Sequence, residues 1–162
     1  MSKPPSSGTA PAPALRPRFW ETVPMAEMTG PEWEALCDGC GKCCMLKMED
    51  EEEPGLIAYT NIACRLFDEK TCRCTSYALR STLVPTCIRL TPETIVEARD
   101  WMPSTCAYRL LAEGSPLPEW HPLRTGDQDS VHATQNSMQD RTVPEYEVDE
   151  DDWYDYVIEG GH

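Results

Sequence analysis

The hydrophobic positions of this chain fall in short segments, each bounded by a turn or capping signal. Thr29-Gly30-Pro31-Glu32 has the form of a capping box with a proline in the first helical turn, so the apolar stretch Trp33 to Leu36 is predicted as a short helix leading into Cys37. Leu56 to Tyr59 and Cys64 to Phe67 read as short strands, and Asp68-Glu69-Lys70 as a turn of a small hairpin that presents Cys64 with Cys72 or Cys74. A second helix is predicted from Thr91-Pro92-Glu93 to about Asp100, ended by Met102-Pro103, and a third from Cys106 to Glu113, closed by Gly114. After Pro118 loop dominates, apart from a strand near Thr142-Val143 and a short helix near Trp153 to Ile158. Trp33, Trp101 and Trp120 are the expected core anchors, aromatic bulk replacing scarce aliphatic mass.

These elements make a small, irregular α+β domain: short helices and a small hairpin organised around a cysteine-rich metal site. The length of 162 residues suits one domain, and 15 prolines and 9 glycines make its folded part small and loop-rich, in need of staples. The expected layout is a disordered Pro/Ala-rich tail at 1–18, a cysteine-cluster domain at 19–143 and an acidic tail at 144–162. A net charge of −14, with only 14 Lys and Arg, argues against nucleic acid and against an anionic membrane surface. The acidic runs Glu49 to Glu53 and Asp149 to Asp152 read as solvated, partly disordered segments. Met1 to Pro17 lacks the roughly 7–15 apolar residues of a secretory signal, and no window approaches the roughly 18 of a membrane span. A cytoplasmic, thiol-reducing setting is therefore expected.

All nine cysteines lie between Cys37 and Cys106: Cys37, Cys40, Cys43, Cys44, Cys64, Cys72, Cys74, Cys87 and Cys106. An odd count, C-x-x-C spacing and no export signal favour metal ligands over disulfides. The two-residue gaps of Cys37-Asp38-Gly39-Cys40-Gly41-Lys42-Cys43-Cys44 let a tight turn bring sulfurs to one ion while backbone N–H groups face the thiolates. Gly39 and Gly41 permit that turn, and Lys42 is the expected cation that lowers the thiol pKa values. Neighbouring side chains such as Cys43 and Cys44 diverge, so one of them is free for a second site or remains a reactive thiol. Nine thiols can fill two four-ligand sites and leave one over, with the partition open. The spacing departs from the bacterial ferredoxin run, which has three residues before its fourth cysteine and a proline after it. His121 and His132 read as structural and His162 as solvated, while Arg65, Arg73, Arg80 and Arg89 punctuate the cysteine region and can offset thiolate charge. Cys106, in the first turn of its helix, is expected to favour the thiolate.

The chain carries no glycine-rich phosphate loop, no Ser/His/Asp pattern and no internal repeat, so no reaction class is assigned. It resembles the YcgN-like branch of the bacterial zinc- or iron-chelating proteins that share a C-x-x-C-x-x-C-C signature. The likeness runs through Glu32 to Cys44, Thr60 to Arg65, Lys70 to Cys74, Cys87 to Thr91, Thr105 to Gly114 and Leu117 to Leu123. The resemblance implies a metal binder, and related cysteine clusters raise the iron–sulfur option. The expected function is chelation of zinc, iron or an iron–sulfur cluster in an auxiliary or metal-handling role, with the metal ion and an unidentified partner protein as partners. Two other readings use the same thiols: an iron–sulfur redox protein or enzyme, and a dithiol/disulfide pair at Cys37 and Cys40, which lacks the βαβ pattern of a thioredoxin fold.

Overall fold

The computed structural model describes residues 14–158. Most of the tail expected at 1–18 lies outside the described residues, as does His162. In chain order the elements are α1 (Phe19–Thr22), α2 (Gly30–Ala35), β1 (Met45–Glu49), β2 (Ile57–Ala63), β3 (Phe67–Asp68), β4 (Arg73–Cys74), α3 (Arg80–Leu83), α4 (Ile95–Ala98), α5 (Ala107–Ala112), α6 (Pro122–Thr125), α7 (Ser130–Ala133) and β5 (Val143–Pro144), with several 3₁₀ turns between them. This is the expected small mixed fold of short helices and a small sheet. Among the described residues no helix is long and apolar enough to cross a membrane.

The capping box forms: Thr29 accepts from the Glu32 N–H at 3.3 Å, and the Glu32 carboxylate accepts from the Thr29 N–H at 2.9 Å. Glu32 is almost wholly buried, and the Arg16 guanidinium donates to both its oxygens, with 2.6 Å to the nearer. A buried carboxylate is tolerated here because every side of it meets a donor.

β1 and β2 pair antiparallel with Lys47 opposite Tyr59, and β5 adds to β2 in parallel at Ile62 and Ala63. The acidic run Glu49 to Glu53, expected to be solvated and partly disordered, makes the turn of this hairpin. Asp50 accepts the N–H groups of Glu52 and Glu53, and Glu49 accepts that of Gly55. β2 runs longer than the predicted Leu56 to Tyr59 strand because its polar residues find partners: the Thr60 hydroxyl donates to Leu46 O at 2.8 Å and the Asn61 amide to Arg141 O. Cys64 to Phe67 is a turn leading into β3 rather than a strand. The helix predicted from Thr91 to about Asp100 is only α4 followed by a 3₁₀ turn at Arg99–Trp101. Near the C-terminus the chain folds into a 3₁₀ turn, Glu150–Tyr156, and comes back to the sheet, where Val157 bridges Thr60 and the Ile158 N–H reaches Tyr59 O at 2.8 Å.

Two apolar clusters carry the fold. One gathers Phe19, Leu36, Ile95, Met102, Ala107, Tyr108 and Leu117, with Trp33 and Trp101 packed against it. The smaller one joins Met45, Ala63 and Met138 with Cys44, Phe67 and Ile158 alongside. Trp120, expected as a core anchor, is half-buried and belongs to neither. Leu36 is anchored in the first cluster and Met45 in the second, so the segment Cys37 to Cys44 spans the gap between two fixed points.

Candidate metal centre

Three contacts fix the entry to the cysteine segment. The Tyr108 hydroxyl donates to Trp33 O at 2.7 Å, the Trp33 indole donates to Leu90 O at 3.2 Å, and His121 Nε2 meets Leu36 O at 2.8 Å. His121 Nδ1 accepts the Leu123 N–H, so Nε2 carries the proton and donates to the carbonyl just before Cys37. Burial holds this imidazole below its ordinary pKa, and the ring stays neutral. Both ring nitrogens are committed to backbone, which agrees with the structural reading of His121.

Inside the segment, Asp38 accepts the Cys40 N–H at 2.9 Å, while Gly39 and Gly41 take φ of +80° and +78°. This turn keeps Cys37, Cys40 and Cys43 within reach of one another's charge, and Cys106 from the start of α5 joins them. Backbone N–H groups face the sulfurs: that of Gly39 at Cys37, that of Lys42 at Cys40, and those of Tyr108 and Arg109 at Cys106. Cys37 and Cys43 are exposed, yet the protein around each weighs on its thiol. Such sulfurs sit in a recess, reachable but poorly solvated.

Burial sets most of the thiol pKa values. Cys37 and Cys106 are both pushed up to about 12, and Cys40 is raised well above its ordinary value. For Cys106 this reverses the expectation from its helical position, because loss of solvent outweighs the two N–H groups. Cys43 runs the other way: the Cys44 thiol donates to it, which lowers Cys43 and raises Cys44. The cation beside Cys43 is Lys47, not the expected Lys42. Its ammonium donates to Cys43 O at 2.8 Å and lies 5.6 Å from the centre of the Tyr59 ring.

Cys64 and Cys74 reach the segment from the strands that follow it. The Cys64 N–H donates to Cys44 O at 2.9 Å, the turn after it feeds β3, and β3 pairs with β4 so that Cys74 stands opposite Phe67. Cys64 feels the charge of Cys74, and Cys87 feels those of Cys43, Cys64 and Cys74. Arg65 is tied to Leu83 O and stands 3.7 Å from Glu145. Cys72 is buried at a φ of +55° and is met by the Ser137 hydroxyl and the Met138 N–H. The predicted hairpin therefore brings Cys74 toward Cys64 and turns Cys72 into the interior. Arg73 lies over Gly39 and offsets the charge of Cys37. His132 is bonded through Nδ1 to Ser137 Oγ at 2.7 Å.

Among the described residues, no three His, Cys, Asp or Glu side chains are arranged so that they could hold a metal ion as they stand. The surroundings nonetheless fit a cation. Thiols with raised pKa values would repel one another as thiolates in this poorly solvated recess. Two buried side-chain oxygens lack a hydrogen-bond partner among the described residues, Asp38 Oδ2 and Thr105 Oγ1, and each lies next to a cysteine of the first group. Asp38 and Lys47 were not singled out from sequence, whereas Arg73 was among the arginines expected to offset thiolate charge and does so at Cys37. A C-x-x-C loop with Asp at its second position is the one signal that pointed toward Asp38.

A family profile named CxxCxxCC, described as a "Putative zinc- or iron-chelating domain", matches residues 36–107, the stretch that holds all nine cysteines. The chain is 52% identical to the UPF0260 protein of Rhodobacter capsulatus over 145 residues, 90% of this chain and 96% of that one. It is 58% identical to the UPF0260 protein of Rhizorhabdus wittichii over 130 residues, 80% and 88% of the two chains. A UPF0260 protein of Pseudomonas aeruginosa is 51% identical over 140 residues, 86% and 93% of the two. The chain belongs to this bacterial UPF0260 family. No solved structure matches it.

Proposed function

We propose that the protein is a cytoplasmic metal binder that holds zinc, iron or an iron–sulfur cluster through cysteine thiolates, in an auxiliary or metal-handling role. The donors are drawn from Cys37, Cys40, Cys43, Cys44, Cys64, Cys74, Cys87 and Cys106. The observation that carries the reading is the unpaired buried Asp38 oxygen beside thiols that would repel one another once ionised. A bound cation would remove both penalties at once, favouring thiolates and giving the carboxylate its missing counter-charge. Lys47 and Arg73 would offset the excess negative charge that several thiolates on one ion leave behind.

Anaerobic purification followed by a visible absorption spectrum, metal analysis and acid-labile sulfide assay tests this. The proposal expects either a colourless zinc protein or a coloured one with iron. A protein that is metal-free, fully folded and free of disulfides after anaerobic handling would contradict it.

A further inference from the structure

We propose that the open groove between the β1–β2 turn and the C-terminal 3₁₀ turn docks a basic, amphipathic segment of a partner protein. None of the nine cysteines lines this groove, and its occupant does not depend on a metal.

Strand alternation builds the floor. In β2, Ile57 and Tyr59 turn inward and are almost wholly buried, which leaves Ala58 facing outward with Met48 as its cross-strand partner, both half-buried. Leu56, two positions before Ala58, is 49% exposed. The outward face of an antiparallel sheet ordinarily carries polar side chains, yet these three positions are apolar. The far wall comes from the end of the described chain. The Ile158 N–H on Tyr59 O at 2.8 Å and the bridge from Val157 to Thr60 hold the 3₁₀ turn against β2. Tyr154 and Val157 nevertheless stay 73% and 43% exposed. The space between the walls is about 400 Å³. Aromatic and aliphatic side chains displayed together in a concavity are the anchors from which an interface draws most of its affinity.

Charge selects the occupant. Glu49 to Glu52 line the groove on one side, and Glu150, Asp151, Asp152 and Asp155 belong to the turn that forms the other. None of the lining residues is basic, and among the described residues none of these carboxylates is in an ion pair. Carboxylates on both rims add to one negative potential over an apolar floor, and such a potential draws in and orients a cation-bearing partner. Lys and Arg side chains of a docked segment would answer both rims while its apolar residues cover Leu56, Tyr154 and Val157. A second copy of this chain fits less well, because a two-fold interface through this face would bring like-charged rims together. A bare metal ion fits less well too. Glu49 and Asp50 are turned to N–H groups of their own turn, and among the described residues no three carboxylates are placed to hold an ion.

The test selects a displayed library of short random peptides on the full chain, after which the enriched sequences are synthesised with a fluorophore and titrated by anisotropy. Enriched peptides are expected to combine Lys or Arg with Leu, Phe or Trp, and to bind Leu56→Ser and Tyr154→Ala about tenfold more weakly than wild type. Because the Leu56 variant can fail to fold, Glu51→Lys combined with Glu52→Lys gives a second reading on two exposed side chains. Binding should fall by a similar factor there, and in the wild type it should weaken as salt is raised. Enrichment of peptides without basic residues, affinity unchanged by the floor and rim variants, or no enrichment over an uncoated surface overturns the proposal. Sedimentation of the chain alone decides about a second copy: a dimer that Tyr154→Ala dissolves would assign the groove to self-association and overturn the proposal as well.

Discussion

Gly41 takes a φ of +78°, and a Cβ at that position would meet the Phe67 ring at 2.7 Å. Gly41→Ala therefore combines backbone strain with a collision in the smaller cluster, and a loss of about 1–3 kcal/mol is expected in urea denaturation. A variant as stable as wild type would show that the loop does not hold this geometry. Glu32 makes a prediction about acid. Its hydrogen bonds from Arg16 and Thr29 lower its pKa from 4.5 to about 2. A depressed carboxyl stabilises the fold fully above its unfolded value, so the contribution is present above about pH 4.5 and drains away as pH falls toward about 2. Glu32→Gln should flatten the stability profile across that window, and equal slopes in the two proteins would refute the assignment. Asp38 and Lys47 show why single-residue reading of the site stops short. Each is an ordinary charged residue in sequence, and each acquires its role from partners that only the folded chain supplies.

The capped helix α2 was legible because Thr29 and Glu32 satisfy local N–H groups by themselves. The β3–β4 hairpin was legible for a similar reason, its turn residues lying between two short segments. β1 was not. Met45–Glu49 lacks a clean alternation, and Lys47 is held along the sheet by the Cys43 carbonyl and the Tyr59 ring, so the pattern carries no strand signal. The end of α2 tests how elements deliver the cysteines. His121→Leu removes the donor to Leu36 O and leaves a buried carbonyl unpaired, at a cost of about 1–3 kcal/mol. Because the folded imidazole has a lowered pKa, its contribution is complete above pH 6.5 and is lost as pH falls below it. Wild type should lose more stability than the variant between about pH 7.5 and about pH 5.5 in paired denaturation curves. The reverse ranking would mean that the ring is protonated in the fold.

With two small apolar clusters in place of one large core, the molecule is short of hydrophobic stabilisation for its length. The positions of the cysteines were fully visible in the sequence, but which of them become neighbours was not, since that depends on how the loop, the β3–β4 pair and the start of α5 come together. A metal in the gap would link the two clusters through Cys43 and Cys44, and binding energy would then count as folding energy. X-ray absorption at the metal edge of the protein as purified without oxygen tests this most directly. The account predicts a first shell made of sulfur, at about 2.3 Å if the metal is zinc. A shell of nitrogen and oxygen alone would contradict it.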